Sequence, residues 1–310
     1  MPDDLIRPFQ VESTGVRGRL VRLGPTADEI IRKHDYPPLL SSLLGEALAL
    51  AAALASALKF DGLFTLQAKG EGPVRILVAD YVSPGEMRGY LQFDRTRLAD
   101  AGEAASVPRL FGRGHLALTI DPAGEGERYQ GIVALEGTTL ADCSNRYFRA
   151  SEQLDASFRA ACGAVPAADG GRRWRAGALM LQRLPAGDPA FLARGGEVSR
   201  EETEDAWRRS VTLMATASDA ELLDPSLDPD QLLYRIYHAE GVRVFEPSRL
   251  RFGCRCSEAR ARNVLASLEQ KALEDLAVDG RFVVTCGFCN SSYVFLRQEF
   301  LPPAAGLTNA

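Results

Sequence analysis

The sequence predicts an α+β fold, in which helices and groups of antiparallel strands occupy separate stretches of the chain. Residues 39–58 place apolar side chains at helical spacing over a broad face, whereas residues 63–135 break into short strand-like runs parted by Gly- and Pro-containing turns. The two kinds of element do not alternate in the regular way that a parallel α/β sheet requires.

Thr26-Ala-Asp-Glu29 fits a capping box, with the Thr hydroxyl and the Glu carboxylate satisfying free amide donors at a helix start. A helix is therefore expected from Ala27 to about Lys33, stopping before Tyr36-Pro37-Pro38. From Leu39 to Leu58 the apolar positions recur at helical spacing, and alanine fills most of the rest, so this helix can be packed on nearly all sides as the central core element. After Asp61-Gly62, the runs Leu63–Ala68, Val74–Ala79, Met87–Phe93, His115–Ile120 and Tyr129–Leu135 read as hairpin strands. Leu140, Cys143, Tyr147, Leu154, Phe158 and Cys162 return to helical spacing, and Trp174–Leu184 reads as a closing strand.

Beyond Pro185 the composition changes. Residues 198–240 carry ten acids against four bases, with apolar residues such as Trp207, Leu222, Leu232 and Ile236 among them. This stretch can form amphipathic helices but has little core of its own, so its stability must come from docking, and it is a candidate for local unfolding. The expected organisation is an N-terminal α+β core over 1–185, a charged metastable helical linker over 186–243, a cysteine-bearing unit over 244–300 and a flexible tail over 301–310.

At 310 residues, 46% apolar and 25% charged, the chain can bury a substantial core, which excludes disorder of the whole. A net charge of −5 argues against broad electrostatic binding to nucleic acid or to an anionic membrane. The longest apolar candidate, Ala47 to Leu58, is shorter than a membrane span and is closed by Lys59. The opening MPDDLIRPF carries acids where a signal peptide needs bases, so a cytoplasmic protein is expected.

Of six cysteines, Cys143 and Cys162 lie alone at apolar positions, where buried small hydrophobes are expected. The other four form Cys254-Arg-Cys256, a spacer of 29 residues, and Cys286-Gly-Phe-Cys289. Four thiolates in two spaced pairs suit one tetrahedral Zn²⁺ per chain. Residues 244–300 make a small core, and a structural zinc site contributes about 10–16 kcal/mol, enough to decide whether such a unit folds. Zinc also keeps the sulfurs as thiolates, the form that oxidants attack, so the site suits either a permanent crosslink or a redox switch.

Other groups read as structural. Gly70-Glu-Gly72-Pro sits between two strands and suits a hairpin turn better than a phosphate loop, since Pro73 lacks an amide donor. His34, His115 and His238 fall in no catalytic or metal pattern. Ser151-Glu152-Gln153 is accounted for by helical packing. Arg249, Arg251, Arg255, Arg260 and Arg262 surround the first cysteine pair and either lower thiolate pKa or form solvated surface. Two other functions compete. A zinc-ribbon nucleic-acid module gains from those arginines but loses on net charge and on the lack of interleaved aromatics. A thiol oxidoreductase would need Cys286-Gly-Phe-Cys289 at a helix N-terminus, where a strand-turn-strand pattern is read instead.

The chain resembles the heat-shock protein 33 family of redox-regulated bacterial chaperones over nearly its whole length. The resemblance rests on CRCS and TCGFCN around the four cysteines, and on VRGRLVRL (16–23), HDYPPLLSSLLGEALALAAALA (34–55), LKFDGLFTLQAKGEGPV (58–74) and MRGY (87–90). YFRASEQ (147–153) and EGVRVF (240–245) add to it. It implies a non-enzymatic, ATP-independent holdase that is silent when reduced and zinc-bound through Cys254, Cys256, Cys286 and Cys289. It further implies that oxidation expels zinc, pairs Cys254 with Cys256 and Cys286 with Cys289, and unfolds the zinc unit and linker to expose a surface for unfolded clients. The active form would tend to dimerise and to pass clients to ATP-dependent foldases. A Cys254–Cys256 bridge would carry strain, because residues two apart in an extended chain span about 6.6 Å, near the upper limit for a disulfide; strained disulfides are readily reduced again. The linker departs from any signature matched elsewhere, so the resemblance assigns no client-contact residues.

Overall fold

The structure, a computed structural model, describes residues 3–100, 102, 106–124, 126–149, 155–183 and 200–301. Of the tail expected over 301–310, Leu301 is buried in the C-terminal core, and 302–310, the Ser151-Glu152-Gln153 segment and the expected boundary at 185/186 lie outside the described residues.

Strands β1 (Leu5–Val11) and β2 (Val16–Leu23) form an antiparallel hairpin in register from Leu5–Arg22 to Val11–Val16. Helix α1 (Pro25–Arg32) starts two residues earlier than expected, with Gly24 as N-cap and Pro25 in the first turn. Thr26 is therefore inside the helix and caps nothing. The Asp4 carboxylate accepts from the Gly24 amide at 2.9 Å and the Thr26 amide at 3.1 Å, so the cap comes from another part of the chain. Helix α2 (Pro38–Ala57) follows as the sequence leads one to expect.

Strands β3 (Gly62–Gly70), β4 (Val74–Val82) and β5 (Glu86–Phe93) make a meander. The short helices α3 (Arg95–Ala99) and α4 (Val107–Phe111) lead to β6 (Gly114–Pro122) and β7 (Tyr129–Ala134). The Gly70–Gly72 turn joins β3 to β4, and a Cβ at Gly72 would come 2.4 Å from the Leu110 carbonyl oxygen. Those glycines serve a close approach of backbone.

Helix α5 (Leu140–Tyr147) is capped by a Thr139–Asp142 box, but the helix expected to run on to Cys162 does not. Phe158 and Cys162 lie on strand β8 (Ala156–Pro166), which pairs with β9 (Arg172–Arg183). Helices α6 (Arg200–Ala215), α7 (Asp219–Leu223) and α8 (Pro229–Tyr237) form the acidic stretch, each of the last two with its own N-cap. The short strands β10 (Val242–Val244), β11 (Ser248–Arg249) and β12 (Arg251–Phe252) then join sheets built by the N-terminal half. The described residues divide into two compact units between Gly253 and Cys254. Residues 244–253, expected with the cysteines, thus belong to the first unit.

In that unit, one sheet runs β10-β1-β2-β9-β8, with β11 also on β1, and a second runs β12-β5-β4-β3-β6-β7. Helix α2 packs against strands of both. Ala47, Ala49, Ala51, Ala52 and Ala53 are fully buried, and their small side chains let sheet residues close on the helix from several directions. By length and composition α2 could cross a membrane, a longer apolar stretch than Ala47–Leu58, yet it is mostly buried inside the protein, where Leu44, Leu48 and Leu50 meet Val21, Leu77 and Met87 in one core.

The linker helices cover the opposite face of the first sheet. Phe9, Val11, Val16, Leu20, Leu179 and Leu181 form a second core with Leu222, Leu232, Leu233, Ile236 and Tyr237. The Phe9 and Tyr237 rings lie 5.6 Å apart, and a Cβ at Gly18 would come 2.1 Å from the Phe9 ring, so only a bare backbone fits beneath it.

Glu46 sits on α2 beside Cys162 and Asp219, and burial, with the Asp219 charge adding to it, pushes its carboxyl up to about 7. The folded chain holds this proton up to about pH 7, whereas the unfolded chain releases it near 4.5. Stability is expected to fall as pH rises through that window, by about 3 kcal/mol in all. Urea unfolding of wild type and Glu46→Gln between pH 4.5 and 7.5 checks this; equal slopes in the two proteins would refute it.

Candidate metal centre

Gly253 ends the first unit, and Cys254 and Cys256 occupy the extended segment before α9 (Glu258–Ala266), which Ser257 caps by accepting from the Arg260 amide at 3.2 Å. Helix α10 (Gln270–Leu276) leads to the hairpin β13 (Arg281–Thr285) and β14 (Ser292–Leu296), in register from Arg281–Leu296 to Thr285–Ser292. Cys286 and Cys289 lie in the turn of that hairpin. The Cys286 amide donates to the Ser291 carbonyl at 2.9 Å, and the Asn290 amide donates to the Cys286 carbonyl at 2.9 Å, with Asn290 at a φ of 61°. This tight knuckle aims both sulfurs to one side.

The unit's core is small: Ala261, Leu265, Leu273, Phe282, Phe295 and Leu301. Phe300 packs edge-on against Phe282 and Phe295 at 5.7 and 5.8 Å. Arg262 stacks over Phe295 at 4.9 Å and pairs with Glu299 at 2.6 Å.

The four sulfurs all lie within 4.8 Å of one another. Cys254 and Cys286 are 3.7 Å apart, and Cys256 and Cys289 are 3.3 Å apart. Tetrahedral coordination at about 2.3 Å per Zn–S bond sets sulfur–sulfur edges of about 3.8 Å, so the cluster fits such an ion. Among the described residues, no other group of three or more metal-ligating side chains gathers in this way.

Burial is the largest influence on Cys254, Cys256 and Cys286 and pushes each thiol up. Burial also pushes on Cys289, but hydrogen bonds from the Ser291 hydroxyl and amide and from Cys256 outweigh it and hold Cys289 down at about 6. The Ser291 hydroxyl oxygen is 3.3 Å from the Cys289 sulfur, and the Tyr293 hydroxyl donates to the Cys256 sulfur at 3.2 Å. Sequence reasoning missed both supporting residues; their signal is position, Ser291 just before β14 and Tyr293 on it, as the chain returns from the second cysteine pair.

The remaining candidates lie elsewhere. Cys143 on α5 and Cys162 on β8 are packed in the first unit, Cys143 fully buried. His34 stacks on Tyr36 at 4.8 Å, His115 lies on β6, and His238 follows α8. The arginine patch divides between the units: Arg249 and Arg251 sit on strands of the first, with Arg251 paired to Glu86 at 2.7 Å, while Arg255, Arg260 and Arg262 belong to the second. Cys286 and Cys289 lie in the turn of a hairpin, and neither opens a helix of its own as a catalytic dithiol does.

The chain thus joins a two-sheet α+β unit to a small unit that gathers four cysteine sulfurs. The family model described as Hsp33 protein matches residues 4–296. A 33 kDa chaperonin of Caulobacter vibrioides is 41% identical over 295 residues, covering 94% of each chain. A 33 kDa chaperonin of Pseudomonas fluorescens is 39% identical over 309 residues, covering 99% of this chain and 95% of its own. The crystal structure of a 33 kDa chaperonin from Thermotoga maritima shares the fold, with a TM-score of 0.74 at 24% identity over 96% of this chain and 97% of that one. The chain belongs to the Hsp33 family.

Proposed function

We propose that this chain is a redox-switched, ATP-independent holdase whose resting form carries one Zn²⁺ on the thiolates of Cys254, Cys256, Cys286 and Cys289. The reading is supported above all by the acidic helices α6–α8, which bury an apolar face of the first sheet and run on through β10–β12 to Cys254. Zinc supplies a crosslink that keeps the sulfurs ionised and close. Two equivalents of a peroxide oxidise the four thiolates to Cys254–Cys256 and Cys286–Cys289 disulfides. Each two-electron step takes up two protons and releases two waters when the oxidant is hydrogen peroxide. The metal then has no ligands, and the small core of the C-terminal unit loses its main support.

Loss of that unit frees the chain end that follows β12, and the linker, held by docking, peels from the sheet. The bared apolar face receives aggregation-prone segments of unfolding proteins. Dimerisation of the active form and hand-over of clients to ATP-dependent foldases complete the proposed cycle, in a compartment that returns the thiols to the reduced state.

Zinc content and suppression of client aggregation, followed together through peroxide treatment under mild warming and then dithiothreitol with zinc, test the scheme. Release of one Zn²⁺ per chain together with a reversible gain of activity is expected. Zinc that stays bound, or leaves with no gain, would make the site a static crosslink.

A further inference from the structure

The face under the linker is ringed by arginines. Strand alternation puts Arg7 of β1, Arg22 of β2, Arg159 of β8, and Arg175 and Arg183 of β9 on the same side as Phe9, Leu20, Ala161, Leu179 and Leu181. Every one of the five reaches the linker. Arg7 pairs with Asp230 at 2.8 Å, Arg159 with Asp219 at 2.7 Å and Arg183 with Glu204 at 2.9 Å. Arg22 donates to the carbonyls of Asp224 and Glu221 at 2.5 and 3.0 Å, and Arg175 donates to that of Leu223 at 2.7 Å.

Some of this charge has other partners. Asp3 also pairs with Arg175, Asp155 also pairs with Arg183, and Arg7 also donates to the Phe245 carbonyl. Among the described residues, however, the acids that pair with Arg7 and Arg159 and the carbonyls that meet Arg22 all come from the linker. Arg22 is 2% exposed, with its Nε unpartnered. Once the linker leaves, the surface is an apolar floor with cationic walls. Such a surface favours a partner that brings apolar side chains and negative charge together.

We infer that the bared face selects clients by charge, taking acidic amphipathic segments in preference to neutral or basic ones of equal hydrophobicity, with the linker as its resident surrogate. This rests on the holdase reading above and adds the class of segment held. A lysine-rich amphipathic segment would bring like charge against Arg7 and Arg159 and bind least well. Because the ring is screened by salt, the preference shrinks as ionic strength rises, while apolar binding does not.

The test uses the oxidised full chain and three labelled amphipathic 20-residue peptides that share one leucine face and carry Glu, Gln or Lys on the other. Fluorescence anisotropy is expected to rank them Glu, Gln, Lys, with the Glu peptide about tenfold tighter than the Gln peptide at low salt. The gap should close in 0.5 M salt, which is about three times physiological ionic strength. The double variant Arg7→Gln with Arg159→Gln should narrow the gap between the Glu and Gln peptides by weakening binding of the Glu peptide. Equal binding of the Glu and Gln peptides by wild type, or tighter Lys binding, would overturn the inference and leave the holdase reading standing. No binding of any peptide by a chain that still suppresses aggregation would place clients elsewhere. Loss of suppression itself would bring down both.

Discussion

Cys286→Ser is expected to unfold the unit that begins at Cys254. Its core amounts to Ala261, Leu265, Leu273, Phe282, Phe295 and Leu301, while Val278, Val283 and Val294 are 68, 64 and 57% exposed. So small a core leaves little margin over the conformational entropy of the ordered chain. A bound metal contributes about 10–16 kcal/mol, far more than the buried apolar groups can replace. Serine at 286 removes one thiolate of four, and with it the tight knuckle in which the Cys286 backbone meets Ser291 and Asn290 loses its anchor. Zinc content should fall well below one per chain, and amide exchange across α9, β13 and β14 should become fast. A high-affinity chelator applied to wild type should do the same, and slow exchange in the metal-free protein would refute the argument.

The second large effect is expected at the seam between linker and sheet. Tyr237 is fully buried, its ring against Phe9, its hydroxyl donating to the Ser210 carbonyl at 3.4 Å. Tyr237→Ala removes the largest fully buried side chain the linker contributes to that core, at a cost of about 3–5 kcal/mol. Because this core docks the linker on the sheet, the variant should release it while zinc remains bound. Reduced Tyr237→Ala is expected to be cut by protease within 200–240 and to suppress client aggregation without oxidant. A variant that stays protected and silent until oxidised would show that the seam does not govern activity.

Some of this architecture is readable from residue order and some is not. Helix α2 is legible because its period runs for five turns without a competing signal. Strand β8 is not, because both of its faces are covered: Phe158 and Cys162 turn toward α2 and Ala161 toward the linker core, and small residues on both sides hide the alternation. Thr26 looked like a cap because the box pattern is local, whereas the real acceptor, Asp4, lies more than twenty residues away. Strands β10–β12, of two or three residues, are too short to show any period, so the first unit extends to Gly253 unannounced. The four cysteines are the opposite case. Their spacing alone groups them as candidate metal ligands, and the fold brings the four sulfurs together, but Ser291 and Tyr293 enter only once the hairpin folds back. The arginine ring belongs to the same class of hidden feature, since its members come from four strands and their partners from three helices.

The breaks between the linker helices set how it can come away. α6, α7 and α8 span 16, 5 and 9 residues, and Ser218 and Asp228 restart the chain at each gap. Isolated helices shorter than about 12–15 residues are marginal in water, so α7 and α8 melt as soon as they leave the sheet. The linker therefore behaves like a row of separate fasteners, with no rigid rod to swing aside. Each one that lifts off becomes a slack thread, which must be refolded as well as repositioned before the face is closed again. Under the proposed scheme, closing the surface therefore means re-forming α7 and α8 one by one as well as laying them back on the sheet.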